Sequence, residues 1–354
     1  MAKERIISPA AQKRDDVPAP GGGGGGGAAI RPRTMDEFIG QRDLVEKLII
    51  ALFAARQRGE PMEHVLLHGP PGLGKTTLAH VIAEEMGTRL YVTSGPALSK
   101  GADLVGTLTK MQPHDVLFID EIHRLPAAVE EFIYPAMEDF KIDFTLDAGM
   151  HAKVITYHLK PFTLIGATTR AGLLTGALRS RFGIAHNLRF YDEPDLLEIL
   201  RRAAARLALD AIGSDALSAI ARRSRGTPRI AIRLLRRVRD FGQIRAAGRI
   251  DAGVIDDALA LEGVDDRGLD DFDRMYLRAM ADVYAGGPVG LEAIAATIGQ
   301  DAGTLEDVVE PFLLQIGFIA RTRQGRQLTS VGAGHLGAAI AAGEDAPPRL
   351  FAGE

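Results

Sequence analysis

The feature that most constrains this chain is His64-Val-Leu-Leu-His-Gly-Pro-Pro-Gly-Leu-Gly-Lys-Thr-Thr77. Val65 to His68 reads as a short buried strand, and an apolar helix pattern follows from Thr77. Between them, Gly69 to Thr76 fits G-x-x-x-x-G-K-S/T, a pattern that carries meaning only between a strand and a helix. Glycines there let backbone N–H groups close around phosphate oxygens, where a Cβ would obstruct. The following helix offers its positive end to the same anion. Lys75 is placed to reach the β- and γ-phosphates, and the Thr76 hydroxyl to ligate Mg²⁺.

Val116-Leu-Phe-Ile-Asp120-Glu121 is a run of four apolar residues ending in two carboxylates, as a parallel strand buried on both faces would read. Ligands in such sheets sit beyond the carboxyl ends of the strands, so Asp120 and Glu121 are expected beside the phosphate loop. Asp120 can hold the Mg²⁺ shell and Glu121 can orient and deprotonate the attacking water. Phe162 to Thr169 is a further buried strand, expected next to the Asp120 strand. Thr169 then either meets the γ-phosphate or satisfies its hydroxyl on its own backbone. Arg179 and Arg181 are either solvated helix charges or the source of an arginine finger offered to a neighbouring subunit. Thr227 fits an N-cap with Pro228 at the first helical position, which puts Arg229 in a first turn, where a cation calls for an anion.

Around this frame the chain divides. Residues 1–29 include a run of seven glycines, Gly21 to Gly27, and are expected to form a disordered tail. Leu44, Leu48 and Leu52, with Val45, Ile49 and Phe53, predict an amphipathic helix ended by Gly59 and Pro61. Residues 140–160 alternate apolar and polar about the turn signal Asp147-Ala-Gly149, predicting an inserted β-hairpin whose apolar face is either core or a docking surface. Helical patterns over Asp192–Leu209, Ser214–Arg225 and from Thr227 to about Asp240 predict a small all-α domain. Further patterns over Phe272–Val283, Leu291–Ile298 and Thr304–Ile316 precede Gly317 to Thr329, a short ribbon with three arginines, as in a winged helix. Those arginines either contact DNA phosphates or solubilise an ordinary hairpin. Lys and Arg total 42 against 46 Asp and Glu, net −4, so a nucleic-acid surface has to be a local patch. The sequence has no cysteine, which rules out disulfides and thiolate metal sites. No apolar run reaches the ~18 residues of a membrane span and no secretory signal leads the chain, so a soluble cytoplasmic protein without membrane contact is expected.

Taken together, the loop, Leu117 to Arg124, Leu164 to Gly172, Leu178 to Gly183 and Arg225 to Ile230 resemble the AAA+ ATPases, and within them the RuvB family that drives branch migration of Holliday junctions. The similarity runs from about Ile30 to Thr329 and includes Gly286 to Leu291 and Glu310-Pro-Phe312. It implies a large α/β ATPase domain with a parallel sheet over 30–192, a small helical lid over 193–263, a winged-helix head over 264–332 and a loose tail over 333–354. It implies that ATP is bound by Gly72, Gly74, Lys75, Thr76 and Thr77, with Ile30, Arg31 and Tyr191 on the adenine side. Glu138, Asp139 and Phe140 match a further segment at the nucleotide. Thr76 and Asp120 would hold Mg²⁺, Glu121 would act on water, Thr169 and Arg229 would be sensors, and Arg181 the finger acting in trans. The hairpin resembles the insertion that docks on RuvA, and Arg321 and Arg326 match wing arginines that touch DNA, with Arg323 beside them. Four-way and duplex DNA, a homo-hexameric ring and the RuvC resolvase are the remaining partners implied. The family wing reads Arg-Thr-Pro-Arg-Gly-Arg, whereas here Arg323 and Gln324 replace the proline and the central arginine. A nucleotide-controlled DNA-binding switch or loader, which holds DNA without translocating, is the rival expectation.

Overall fold

The computed structural model describes residues 30–145, 154–209 and 212–338. The chain divides into two units, Met1–Arg31, of which only Ile30 and Arg31 are described, and Pro32–Glu354, which holds every named strand. The glycine run, the turn at Asp147 to Gly149 and residues 339–354 lie outside the described residues.

Seven strands precede the lid: β1 (Val65–His68), β2 (Leu90–Ser94), β3 (Val116–Asp120), β4 (Lys141–Thr145), β5 (Val154–His158), β6 (Thr163–Thr168) and β7 (Ile184–Asn187). Five form one parallel sheet in the order β2-β3-β6-β1-β7. Every residue of β6 is buried, which explains its unbroken apolar run: a central parallel strand is covered on both faces. β6 lies between β3 and β1, with Ile119 beside Gly166 and His68 beside Thr168. The C-terminal ends of these three parallel strands therefore open on the same edge of the sheet. The helix Arg42–Arg58 buries Leu44, Leu48, Leu52 and Ala55 against the domain. The second row expected on that face does not join them, because one helix face contacts the domain; Val45 and Ile49 are half-buried and Phe53 is 64% exposed.

The inserted hairpin is present as β4 against β5, antiparallel, with Ile142 opposite Tyr157. Its apolar residues divide between core and solvent. Ile142 on β4 is buried in the main core, whereas Ile155 and Tyr157 on β5 are 42% and 45% exposed.

Three lid helices span Glu193–Arg206, Ser214–Arg222 and Pro228–Arg245, and a fourth, Ala252–Leu261, follows without having been anticipated. Asp192 caps the first by accepting from Asp195 N–H at 2.9 Å. Thr227 occupies the cap position before Pro228, yet its hydroxyl donates to the Arg225 carbonyl at 3.0 Å instead of accepting from the helix.

In the head, Asp271–Arg278, Leu291–Ile298 and Glu310–Gln315 pack around a core containing Tyr276, Ile294 and Leu313. The stretches read as single helices from Phe272 and from Thr304 each contain a wider π turn, at Ala279–Val283 and Leu305–Val309. β8 (Ile319–Thr322) and β9 (Gly325–Leu328) form the antiparallel wing. Order does not end at Gly332: a helix runs over Ser330–Leu336, capped by Thr329 Oγ1 accepting from Gly332 N–H at 3.1 Å, with Ala333 in the head core. Small residues there hide the helix from periodicity. Among the described residues no helix is long and apolar enough to cross a membrane.

Candidate functional site

The phosphate loop runs between β1 and the helix Lys75–Met86, as the motif requires. Gly72 has φ 84°, and a Cβ there would stand 2.7 Å from Thr227 Cγ2 and 3.0 Å from Arg229 Cβ. Glycine is thus needed twice, for its left-handed backbone and for the approach of the lid. Arg229 N–H donates to the Gly72 carbonyl at 3.4 Å. Tyr191 N–H donates to Gly226 O at 2.8 Å and its hydroxyl to Leu73 O at 3.1 Å, so it ties the same lid segment to the same loop.

Lys75 is buried, and its ammonium donates to the carbonyls of Gly69 at 2.7 Å and Pro70 at 2.9 Å. Burial lowers its pKa to about 8, opposed by Glu121 and Asp120 and assisted by Arg229. Arg229 is exposed in the first turn of Pro228–Arg245, and its guanidinium makes no ion pair among the described residues. Two cations, one at a helix N-terminus that already favours negative charge, converge on a loop of backbone donors, and such a set fits a polyphosphate.

Asp120 ends β3 and accepts from Glu121 N–H at 3.0 Å. Glu121 holds φ 48°, ψ 47°, a left-handed conformation that non-glycine residues adopt at a cost and that clusters at functional sites. Its Oε2 lies 3.3 Å from Thr169 Oγ1, which donates to it, and 3.2 Å from His123 Nδ1. His123 Nδ1 is also 2.8 Å from Thr168 Oγ1, and burial is the chief cause that lowers its pKa. His123 lies within the motif Leu117 to Arg124, where the sequence alone assigns it no role; its partner lies across the strand pair, 45 residues on. The carboxylate that would activate water is therefore held by a hydroxyl at the end of the adjacent strand. Among the described residues no three His, Asp or Glu form a metal cage. Asp120 and Thr76 offer hard oxygens of the kind Mg²⁺ takes, one or two carboxylates with phosphate and water completing its octahedron.

Arg181 does not join this group within one chain. Its Nη1 donates to Ala177 O at 2.6 Å, its Nη2 lies 3.2 Å from Glu138 Oε1, and its guanidinium stacks 4.5 Å from the Tyr134 ring centre. Glu138 is thus with Arg181, Asp139 pairs with Lys141 at 2.8 Å, and Phe140 packs on Phe162 with ring centres 5.8 Å apart. Ile30 is half-buried and Arg31 exposed in the N-terminal unit.

At the wing, Arg321 and Arg326 sit directly opposite each other in the ladder, an arrangement that like charges disfavour. Glu310, fully buried, resolves it. It accepts from Arg321 Nη2 at 2.5 Å, Arg326 Nε at 2.8 Å and the Tyr276 hydroxyl at 2.8 Å. Burial works against ionisation of Glu310, and the two guanidiniums outweigh it, leaving the pKa lowered. Arg323, at the tip between β8 and β9, is exposed and carries no ion pair among the described residues.

Three family models match consecutive stretches: the Holliday junction DNA helicase RuvB P-loop domain over 30–188, the RuvB AAA lid domain over 191–265 and the RuvB C-terminal winged helix domain over 266–337. A curated relative from Desulfosudis oleivorans, the Holliday junction branch migration complex subunit RuvB, is 56% identical over 309 residues, covering 87% of this chain and 90% of its own. The solved structure of the Thermotoga maritima RuvB Holliday junction branch migration motor is 50% identical with a TM-score of 0.81, covering 88% of this chain and 100% of that one.

Proposed function

The chain belongs to the RuvB family, and from that premise we propose that it is an ATP-hydrolysing motor that moves the branch point of Holliday junctions. The observation that carries the mechanism is the hydrogen bond from Thr169 to Glu121, made beside a loop on which the lid's Arg229 is seated. In this reading Lys75 and the loop N–H groups bind the phosphates, and Thr76 and Asp120 would hold Mg²⁺, which neutralises charge on the phosphates when bound. Glu121 orients and deprotonates the attacking water. Thr169 shares the carboxylate it holds with the γ-phosphate region, so loss of that phosphate changes the contact.

Arg181 supplies positive charge to a nucleotide held by the next subunit. Support comes from its exclusion from its own loop and its place at a surface with Glu138 and Tyr134. A homo-hexameric ring follows as the assembly that would repeat such a seam, and Ile30, Arg31 and Tyr191 would flank the base. The exposed apolar side chains of β5, Ile155 and Tyr157, supply the surface for RuvA, and RuvC joins the same junction complex. Arg323 supplies the wing's phosphate contact, with the exposed part of Arg321 beside it.

A synthetic four-way junction tests the reading, with and without RuvA. ATP-dependent exchange of arms is expected, lost in Glu121→Gln while nucleotide binding persists. ATP-dependent retention of the junction with no exchange would leave a DNA-holding switch in place of a motor.

A further inference from the structure

Arg170, the residue after Thr169, reaches out of the ATPase domain into the head. Its Nε lies 2.8 Å from both carboxylate oxygens of Asp307, and its Nη2 donates to the Gly303 carbonyl at 3.2 Å. Its own N–H donates to Thr168 Oγ1 at 2.9 Å, the hydroxyl that meets His123. Asp307 lies in the π turn Leu305–Val309, a local widening that often marks functional positions, and Glu310 follows at once. Glu306, on the same turn, stands 3.9 Å from Arg170 and 3.8 Å from Arg321. Polar contacts therefore run without a gap from the carboxylate of Glu121, through the end of β6, to the base of the wing.

The head is also attached at a second point, of a different kind. Arg225, just before the lid segment seated on Gly72, is buried and has Nη2 2.6 Å from both Asp270 and Asp273, with Nε donating to Gly268 O at 2.6 Å. Breaking a buried pair strands a charge, so this attachment persists. Arg170 and Asp307 are each about a third exposed, with 30% of either side chain accessible. Such a pair is worth little more than thermal energy and can be broken and remade in every cycle, while the bonds from Nε to Asp307 and from Nη2 to Gly303 fix the direction of the guanidinium.

We propose that Arg170 is a positioning residue whose ion pair with Asp307 is a releasable latch, linking the nucleotide state sensed at Thr169 to the placement of the DNA-binding head, while Arg225 is the pivot. The inference rests on the motor reading and extends it to how the two sites communicate. The pair lies outside the phosphate loop and outside the wing surface, so its removal uncouples the sites without emptying either.

The test uses the full chain carrying Asp307→Asn, which keeps volume and removes charge. DNA-free ATP turnover is expected within about twofold of wild type, whereas the change in turnover on adding DNA shrinks by about fivefold or more, the lower range of ordinary site-to-site coupling. The ratio of DNA affinities with a non-hydrolysable ATP analogue and with ADP should shrink equally, which loss of packing alone would not produce. Asp307→Glu should keep the coupling, and the exchanged pair Arg170→Asp with Asp307→Arg should restore it. Wild-type coupling in Asp307→Asn overturns the latch, as does loss of DNA-free turnover, which would make the pair a support of catalysis itself. No effect of DNA on the wild-type protein's turnover would count against the motor reading instead.

Discussion

Lys75 is a buried ammonium satisfied by two carbonyls, and that surrounding makes it a weaker base than a free lysine, with a pKa of about 8. Phosphate favours the charged form, so the pKa rises when nucleotide binds. Binding therefore takes up protons at and above pH 8, and affinity falls as the pH climbs through that value. Calorimetry in buffers of different ionisation enthalpy should show the uptake, and Lys75→Arg, which stays charged, should abolish it. His123 meets the same oxygen of Glu121 as Thr169 does, and His123→Ala is expected to lower kcat while leaving nucleotide binding intact. The positions of Lys75, Thr76, Asp120, Glu121 and Thr169 at one edge of the sheet were legible in the sequence because each sits at a fixed offset from an apolar strand. The contact of His123 was not, because it depends on β6 lying beside β3.

At the scale of elements, the wing shows what residue type alone leaves out. Three arginines mark the ribbon, but two of them answer a buried carboxylate supplied by the preceding helix, which no local pattern reveals. Arg323→Ala is therefore expected to weaken DNA binding and reduce its salt slope by about one ion, with thermal stability unchanged. Arg326→Ala should destabilise the head by about 1–3 kcal/mol, the cost of a buried charged group losing a hydrogen-bond partner. Affinity against salt, read beside a melting curve, separates the two. The hairpin was visible as alternation, but only packing tells its buried strand positions from its exposed ones. Replacing Ile155 and Tyr157 together by Glu and Asp should leave ATP turnover near wild type and abolish capture of RuvA in a pull-down. The helix Ser330–Leu336 was missed because a run of glycine and alanine has no stripe to read; its order comes from a threonine cap and one buried methyl.

For the molecule as a whole, the order of domains was readable because each carries its own period and its own motif. How they meet was not, since Arg225 with Asp273 and Arg170 with Asp307 join residues far apart in sequence. The proposed shared seam makes a quantitative claim. A trans-acting arginine is worth about 10³-fold or more in turnover, so Arg181→Ala and Glu121→Gln should each be nearly inactive alone. Mixing the two inactive proteins should bring activity back, because some seams then combine an intact Glu121 with an intact Arg181. Silence of the mixture, with both variants shown to co-assemble, would mean that each subunit works on its own nucleotide. The docking of Arg181 on Tyr134 and Glu138 carries one last implication. On the proposed seam, a protomer by itself would keep that guanidinium occupied, and newly made protein would stay idle and consume little fuel until a companion arrived to claim the charge.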